Sequence, residues 1–290
     1  IKTSQYSKLS LEYHATKEYR RGGDQLNRPP HEVYVAETTD HIINSGGITF
    51  EGTTSNLRHR YSAYISAQDV KRDSYYGSYM DPNAYGTTHG LTAVGGVQYM
   101  YRCPKMLFLP AELTVGAEYN LDYMKDTPLT EGYTPTNQTI HIYSAYIQNE
   151  WKNETWGFLI GGRADKHNLI DHLIFSPRVN FRYNPTHNIN LRAVYSSGFR
   201  APQAFDEDLH ITIVGGERTR IRLADDLKEE RSHSFSLSAD MYHTFKNGVQ
   251  GNLLVEGFYT ILKDVFTLEE TGETADGGTA TVLERRNGSG

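Results

Sequence analysis

A single cysteine, Cys103, in 290 residues excludes an internal disulfide framework. No stretch comes near the ~18–20 consecutive apolar residues that a transmembrane helix needs, which excludes a helical membrane protein and nothing more. No charged n-region and apolar core follow Ile1, so any targeting signal is expected either to have been removed or never to have been part of this stretch. The net charge of −6 is mild, and no basic patch with interleaved aromatics is present, so nucleic acid is not expected as a partner. What is plentiful is Tyr, with 21 residues, and Gly, with 26. The charged fraction of 22% and mean hydropathy of −0.59 look like a soluble protein. A transmembrane barrel can look the same, because only every second residue of its strands meets lipid.

Strict alternation recurs along the chain. From Glu112 to Asp122, Leu113, Val115, Ala117, Tyr119 and Leu121 share one face, while Glu112, Thr114, Gly116, Glu118, Asn120 and Asp122 share the other. Val179, Phe181 and Tyr183 alternate with Arg178, Asn180 and Arg182, and Ile189, Leu191, Ala193 and Tyr195 face away from Asn190 and Arg192. A helical period of 3.6 would mix charges into each apolar stripe. The pattern predicts strands near 5–19, 32–52, 57–73, 88–103, 111–125, 138–152, 155–168, 174–184, 188–200, 228–245 and 249–268, with a twelfth starting near 280. Tight links near Thr53–Asn56, Lys152–Thr155, Pro185–Asn188 and Lys246–Gly248 interleave with longer polar links at 20–31, 74–87, 126–137, 201–227 and 269–279. The expected fold is all-β: an antiparallel transmembrane β-barrel with short periplasmic turns and long extracellular loops. A soluble sandwich would also alternate, but the apolar face here is loaded with Tyr near strand ends, as an interfacial aromatic girdle is.

Two segments carry a family resemblance. Ser176-Pro177-Arg178-Val179-Asn180-Phe181-Arg182-Tyr183-Asn184-Pro185 and Asn190-Leu191-Arg192-Ala193-Val194-Tyr195-Ser196-Ser197-Gly198-Phe199-Arg200-Ala201-Pro202 resemble the mid-barrel hairpin of TonB-dependent outer-membrane receptors. Leu227-Lys228-Glu229-Glu230-Arg231-Ser232 resembles a further family segment, with Glu229 standing where Pro is usual. Arg20-Arg21-Gly22-Gly23-Asp24, Arg28-Pro29-Pro30-His31-Glu32 and Arg72-Asp73-Ser74-Tyr75-Tyr76-Gly77 resemble the siderophore- and cobalamin-type branch of Bacteroides-like bacteria. The resemblance implies a 22-stranded barrel with an N-terminal plug, importing a scarce nutrient with energy from the inner-membrane TonB complex. About 12 strands are expected here, so residues 1–290 read as a partial barrel domain, with the plug and C-terminal strands outside this chain. The expected partners are a ferric siderophore, with heme or cobalamin as other nutrients, the TonB complex through the plug, and outer-membrane lipid and lipopolysaccharide. A porin or adhesin-like barrel without active transport is the alternative.

Candidate ligand groups lie in the longer links: Arg20, Arg21 and Arg28 in one, Tyr75, Tyr76, Tyr79 and Tyr85 in another, and Arg218, Arg220 and Arg222 in the longest. Guanidinium forks grip oxyanions and aromatic faces stack on rings, which suits a ferric catecholate. Surface ion pairing is the plainer role for the same groups. On the lumen face, Glu112, Glu118 and Asp122 could interlock with Arg178, Arg182 and Arg192 as charge ladders, but they read better as charges that only solvate a water-filled interior and hold the plug. The 12 His residues are scattered, and pairs such as His167 and His172, or His187 and His210, lack the spacing of a zinc site, so no metal or cofactor is expected. Asp225-Asp226 and Asp206-Glu207-Asp208 could hold loop calcium but read better as solvated acids. No catalytic group is expected: Ser232 and His233 fall on opposite faces of a strand, the wrong arrangement for an activated nucleophile.

Overall fold

The computed structural model of the chain describes residues 2–129, 135–203, 218–275 and 280–288. In chain order its strands are β1 (Lys2–Ser4), β2 (Ser7–Gly23), β3 (Val35–Thr53), β4 (His59–Ser78), β5 (Tyr85–Met106), β6 (Leu109–Pro128), β7 (Thr136–Lys152) and β8 (Trp156–His167). They continue as β9 (Ile174–Thr186), β10 (Ile189–Arg200), β11 (Arg218–Leu223), β12 (Glu230–Thr244), β13 (Gln250–Lys263), β14 (Phe266–Ala275) and β15 (Ala280–Asn287). The one short helical turn described is Pro30–Glu32, where Pro30 presets the backbone angle.

Twelve strands form one antiparallel sheet in the order β1 to β10, then β12 and β13; β11, β15 and β14 form a second, three-stranded sheet. Apart from the step over β11, each wall strand pairs with its neighbour along the chain, which keeps every closure local. The register puts the two faces where alternation predicts. Leu113, Val115 and Ala117 stand opposite Tyr101, Tyr99 and Val97 on one side, and Glu118 stands between Gly96 and Ser144 on the other. The first face is apolar and exposed, with Leu11, Ile65, Val97, Ile147 and Leu237 each open to their surroundings. The wall strands β4 and β6 each run 20 residues, about 66 Å at ~3.3 Å per residue. A tilted membrane strand needs only ~9–11 residues in hydrocarbon. The wall therefore stands well clear of a bilayer.

On the polar face, two tyrosines strap the sheet across glycines. Tyr64 on β4 lies over Gly96 of β5 and donates to Glu118 of β6, while Tyr146 on β7 lies over Gly116 of β6 and donates to Gln98 of β5 at 2.9 Å. A Cβ on Gly116 would sit 2.3 Å from the Tyr146 ring, so only glycine leaves room for the strap. The chain of partners continues from Glu118 to Arg163 at 2.9 Å, from Arg163 to Asp165 at 2.8 Å, and from Ser144 to Asp165 at 2.6 Å.

Several expectations are corrected. The strand expected over 249–268 is two strands, β13 and β14, separated at Asp264, whose φ of 53° breaks the extended run. The segment near 280 is not a wall strand: β15 joins the three-stranded sheet, and the twelfth wall strand is the three-residue β1. The expected link 201–227 contains β11, and β14 occupies most of 269–279. Wall strands also run past their expected ends. β4 continues to Ser78 and turns through Tyr79 and Met80, at φ 58° and 61°, the left-handed pair that a tight hairpin needs. Arg20, Arg21, Tyr75, Tyr76 and Tyr85 therefore lie in strands and not in links.

Candidate functional site

The polar face of the wall forms a recess toward the end that carries the longer links. A cavity of about 520 Å³ opens there, lined by His41 and Ile43 of β3, Gln68, Val70 and Arg72 of β4, Thr88, Gly90 and Thr92 of β5, Asp122, Tyr123 and Met124 of β6, Gln138 of β7, and Gln203 after β10. Direct cross-strand register builds it: His41 faces Arg72, Arg72 faces Thr88, and Thr88 faces Asp126. Arg72 donates through Nε and Nη2 to the Thr88 hydroxyl, at 3.2 and 2.8 Å, and Thr88 donates to Asp126 at 2.6 Å. Asp126 is buried, so its charge is spent on Thr88 and not presented to the cavity. Nη1 of Arg72 makes no hydrogen bond among the described residues, and neither the buried Nδ1 of His41 nor the buried Oγ1 of Thr39 is hydrogen-bonded there. The buried atoms of His41 and Thr39 are closed to the cavity, which leaves the Arg72 guanidinium as its directional cationic donor, with Asp122 on the same lining to balance the charge.

Of the residues singled out in the sequence, three belong to this region: Asp122 on the lining, and Arg20 and Tyr76 beside it. Arg20 stands opposite Thr39, on the same face, and pairs with Glu18 at 2.8 Å; Tyr76 stands opposite Glu37, within the field of Arg72 and Arg20. Tyr75 and Tyr85 point to the other side of the sheet. Their rings meet at 4.8 Å and 64°, and Tyr75 is fully buried with Val33 and Ala36 under the link that follows β2. His31 in that link closes on the Tyr85 hydroxyl at 2.7 Å. Tyr79 packs edge-on to Tyr34 at 4.7 Å. These three tyrosines fasten links to the rim. Arg21 also leaves the polar face and donates to the carbonyls of Gly22 and Asp24, and Arg28 is exposed in the link.

Arg220 and Arg222 lie on β11 in the three-stranded sheet, and the side chain of Arg218 lies outside the described residues. Arg222 holds Glu284 at 2.9 Å and Glu273 at 3.0 Å, tying β11 to β15 and β14. Arg286 pairs with the same Glu284, and these two guanidinium groups, Arg286 first, hold its carboxyl below the usual carboxylate range. Burial pushes the Glu229 carboxyl up, but hydrogen bonds from Arg231, its own backbone amide and His172 outweigh burial and leave it lowered. His172 reaches Glu229 at 3.0 Å and so ties the β8–β9 link to the start of β12. Asn287 bonds the backbone of Lys228 and Asp264, docking the small sheet onto the rim of the wall.

The alternative reading, a ladder between these acids and arginines, does not form among the described residues. Glu112 pairs with Arg102 at 2.8 Å and Glu118 with Arg163, whereas Arg178 and Arg192 turn to Asn180 and Asn190, and Arg182 donates to the carbonyls of Asn153 and Trp156. Three strand gaps separate β6 from β9, about 14 Å, beyond the reach of a direct pair. These five, with Asp122, share the polar face. Alternation alone would have found Arg72 and Gln68, which share the parity of Tyr76; nothing local in the sequence brings Gln203 to them. Asp206-Glu207-Asp208 and His210 lie outside the described residues, and no group of three or more His, Cys, Asp or Glu able to hold a metal occurs among the described ones.

A family model described as TonB dependent receptor-like, beta-barrel, matches residues 4–288. No curated protein matches the chain. Among solved structures, the chain is similar to the siderophore receptor PirA from Pseudomonas aeruginosa, at TM-score 0.72 and 14% identity, over 99% of this chain and 49% of that one. It is similar to a mutant of the ferric enterobactin receptor PfeA from Pseudomonas aeruginosa, in complex with enterobactin, at TM-score 0.68 and 15% identity, over 99% and 46%. The alcaligin outer-membrane receptor FauA from Bordetella pertussis matches at TM-score 0.66 and 13% identity, over 100% and 46%. At these identities the likeness speaks for the fold. The chain spans about half the length of these solved relatives.

Proposed function

We propose, from the premise that this chain belongs to the TonB-dependent receptor β-barrel family of the Gram-negative outer membrane, that it supplies wall and rim of an energy-dependent importer of a ferric siderophore. The importer's plug and remaining strands belong to the rest of the protein, and the TonB complex acts through that plug. The observation that carries the reading is the cavity under the long-link rim, where Arg72, His41 and Gln203 converge from separate elements on the polar face. The solved receptors of the same fold are named for siderophore, enterobactin and alcaligin, which favours a ferric chelate over heme or cobalamin. Match to a receptor family weighs against a passive porin or adhesin.

Arg72 is the residue whose loss discriminates. Its guanidinium is already oriented by Thr88, so a chelate oxygen meeting Nη1 gains a charge-assisted bond without ordering a free side chain. Arg72→Ala in the full-length receptor is expected to weaken a ferric siderophore by about 10- to 100-fold, the ~1.5–3 kcal/mol of a hydrogen bond to a charged group. Fluorescence quenching with ferric catecholate, ferric hydroxamate, heme and cobalamin checks it. Tight binding of heme or cobalamin alone, or siderophore affinity untouched by Arg72→Ala, would contradict the reading.

A further inference from the structure

The cavity beneath the long-link rim is poor in positive charge. Cross-strand register runs polar-face rows past it on β2 to β7, from the row of Glu37 down to that of Asp122. These rows carry two guanidinium groups, Arg20 and Arg72, against four carboxylates, Glu18, Glu37, Asp122 and Asp126. Glu18, His41, Arg72, Thr88 and Asp126 stand in a single row, with Arg72 at its centre. Its two acids are each two strands from Arg72, about 10 Å at ~4.8 Å per strand. Arg20 is taken by Glu18 at 2.8 Å, so the only guanidinium on the lining is that of Arg72, and Asp122 balances it. Arg285 of β15 is buried and donates to the carbonyl of Gln203 at 3.2 Å, bracing the lining from behind.

Where cations are few, amides take their place. Gln68 of β4, Gln138 of β7 and Gln203 reach the lining from three separate elements. A primary amide presents donors and an acceptor without net charge, which suits a ligand whose surface carries carbonyl oxygens and N–H groups. The rings that would stack on catechols have turned away, since Tyr75 and Tyr85 close on one another at 4.8 Å on the other side of the sheet. A ferric ion held by catecholates alone is a trianion, which this surface repels. Held by hydroxamates alone it is neutral, and one guanidinium is enough to grip its polarised oxygens.

We propose that this cavity selects its ligand by charge, taking a neutral ferric chelate of the trihydroxamate class in preference to a trianionic tris-catecholate. The proposal rests on the import reading and deepens it. It also reverses the expectation drawn from arginines and tyrosines in the links, because the structure pairs those arginines or turns them from the cavity and folds most of those tyrosines into the rim. Arg72 supplies the one charge-assisted contact, the glutamines supply the neutral ones, and the surrounding carboxylates exclude the anion.

Fluorescence quenching of the full-length receptor tests it, with a neutral ferric trihydroxamate and a trianionic ferric tris-catecholate as probes. The trihydroxamate is expected to bind about 30-fold more tightly. The two chelates also differ in shape, so charge is read separately, in two ways. Raising salt from ~0.05 to ~0.5 M should strengthen the tris-catecholate about threefold, by screening repulsion, and leave the trihydroxamate within about twofold. Glu18→Gln/Glu37→Gln, which removes two carboxylates outside the lining, should strengthen the tris-catecholate about fivefold and change the trihydroxamate less than about twofold. A gain of affinity cannot come from a misfolded protein. Equal or tighter binding of the tris-catecholate, still weakened by Arg72→Ala, would overturn selection by charge and leave the import reading standing. So would a tris-catecholate affinity that falls with salt or ignores the double substitution. Affinities for both chelates that are indifferent to Arg72→Ala would overturn the two readings together.

Discussion

In the wall, strands pair in chain order and two tyrosine straps run across glycines, whereas the rim sheet joins β11 to β15, residue 218 against residue 280, and does so in parallel. The wall is held by continuous backbone ladders, so each side chain has only to fit its face. The rim sheet is small and far from local in sequence, and it is fastened by ion pairs: Arg222 to Glu284 and Glu273, and Arg286 to Glu284. A wall of this kind tolerates loss of a charge and resists added bulk at a strap. A rim of this kind does the reverse.

The largest effect is expected at the straps. Gly116→Val forces a side chain into the Tyr146 ring, which its Cβ alone would meet at 2.3 Å. It should destabilise the full-length barrel by about 1–3 kcal/mol, as overpacking does, read as the urea midpoint of heat-modifiable migration. Adding Tyr146→Ala should restore part of the loss; no rescue would show that the strap is not what Gly116 accommodates.

A smaller and more local effect is expected at the rim, by two routes. Arg222→Ala should speed amide exchange in β11 and β15 while leaving β4 to β6 unchanged. Acid should act in the same way. Because Glu284 is lowered in the folded protein, its contribution is fully present above the ordinary carboxylate range, near pH ~4.3. It is lost as pH falls through its depressed value. Exchange corrected for its intrinsic pH dependence should therefore accelerate in the rim sheet first as pH falls below ~4. Uniform acceleration across wall and rim would remove the distinction between them.

The same difference explains what could be read from the sequence. Between Glu112 and Asp122 every second residue is apolar because one face meets lipid, so faces, register parity and most turns are written locally. Above the apolar band that contrast disappears. Near Tyr76, Tyr75 and Tyr76 put aromatic rings on opposite faces of the strand, so alternation carries no signal and strand ends are misread as loops. The rim sheet is less legible still, since a parallel partner 62 residues away (280 against 218) leaves no periodic trace in either segment. Acids and arginines were placed on the right face by parity. Their partners depend on which strands lie within side-chain reach, which is why Glu118 meets Arg163 and not Arg178.

The account stands on β6 exposing alternate residues to lipid and to a watery interior. Spin labels placed singly from 111 to 123 in the full-length receptor, with Cys103→Ser, measure this directly through collision with oxygen and with a water-soluble nickel complex. Odd positions should favour oxygen and even positions nickel, with a period of two throughout. Nickel access at Leu113, Val115 and Ala117 equal to that at Glu112, Thr114 and Glu118 would contradict it.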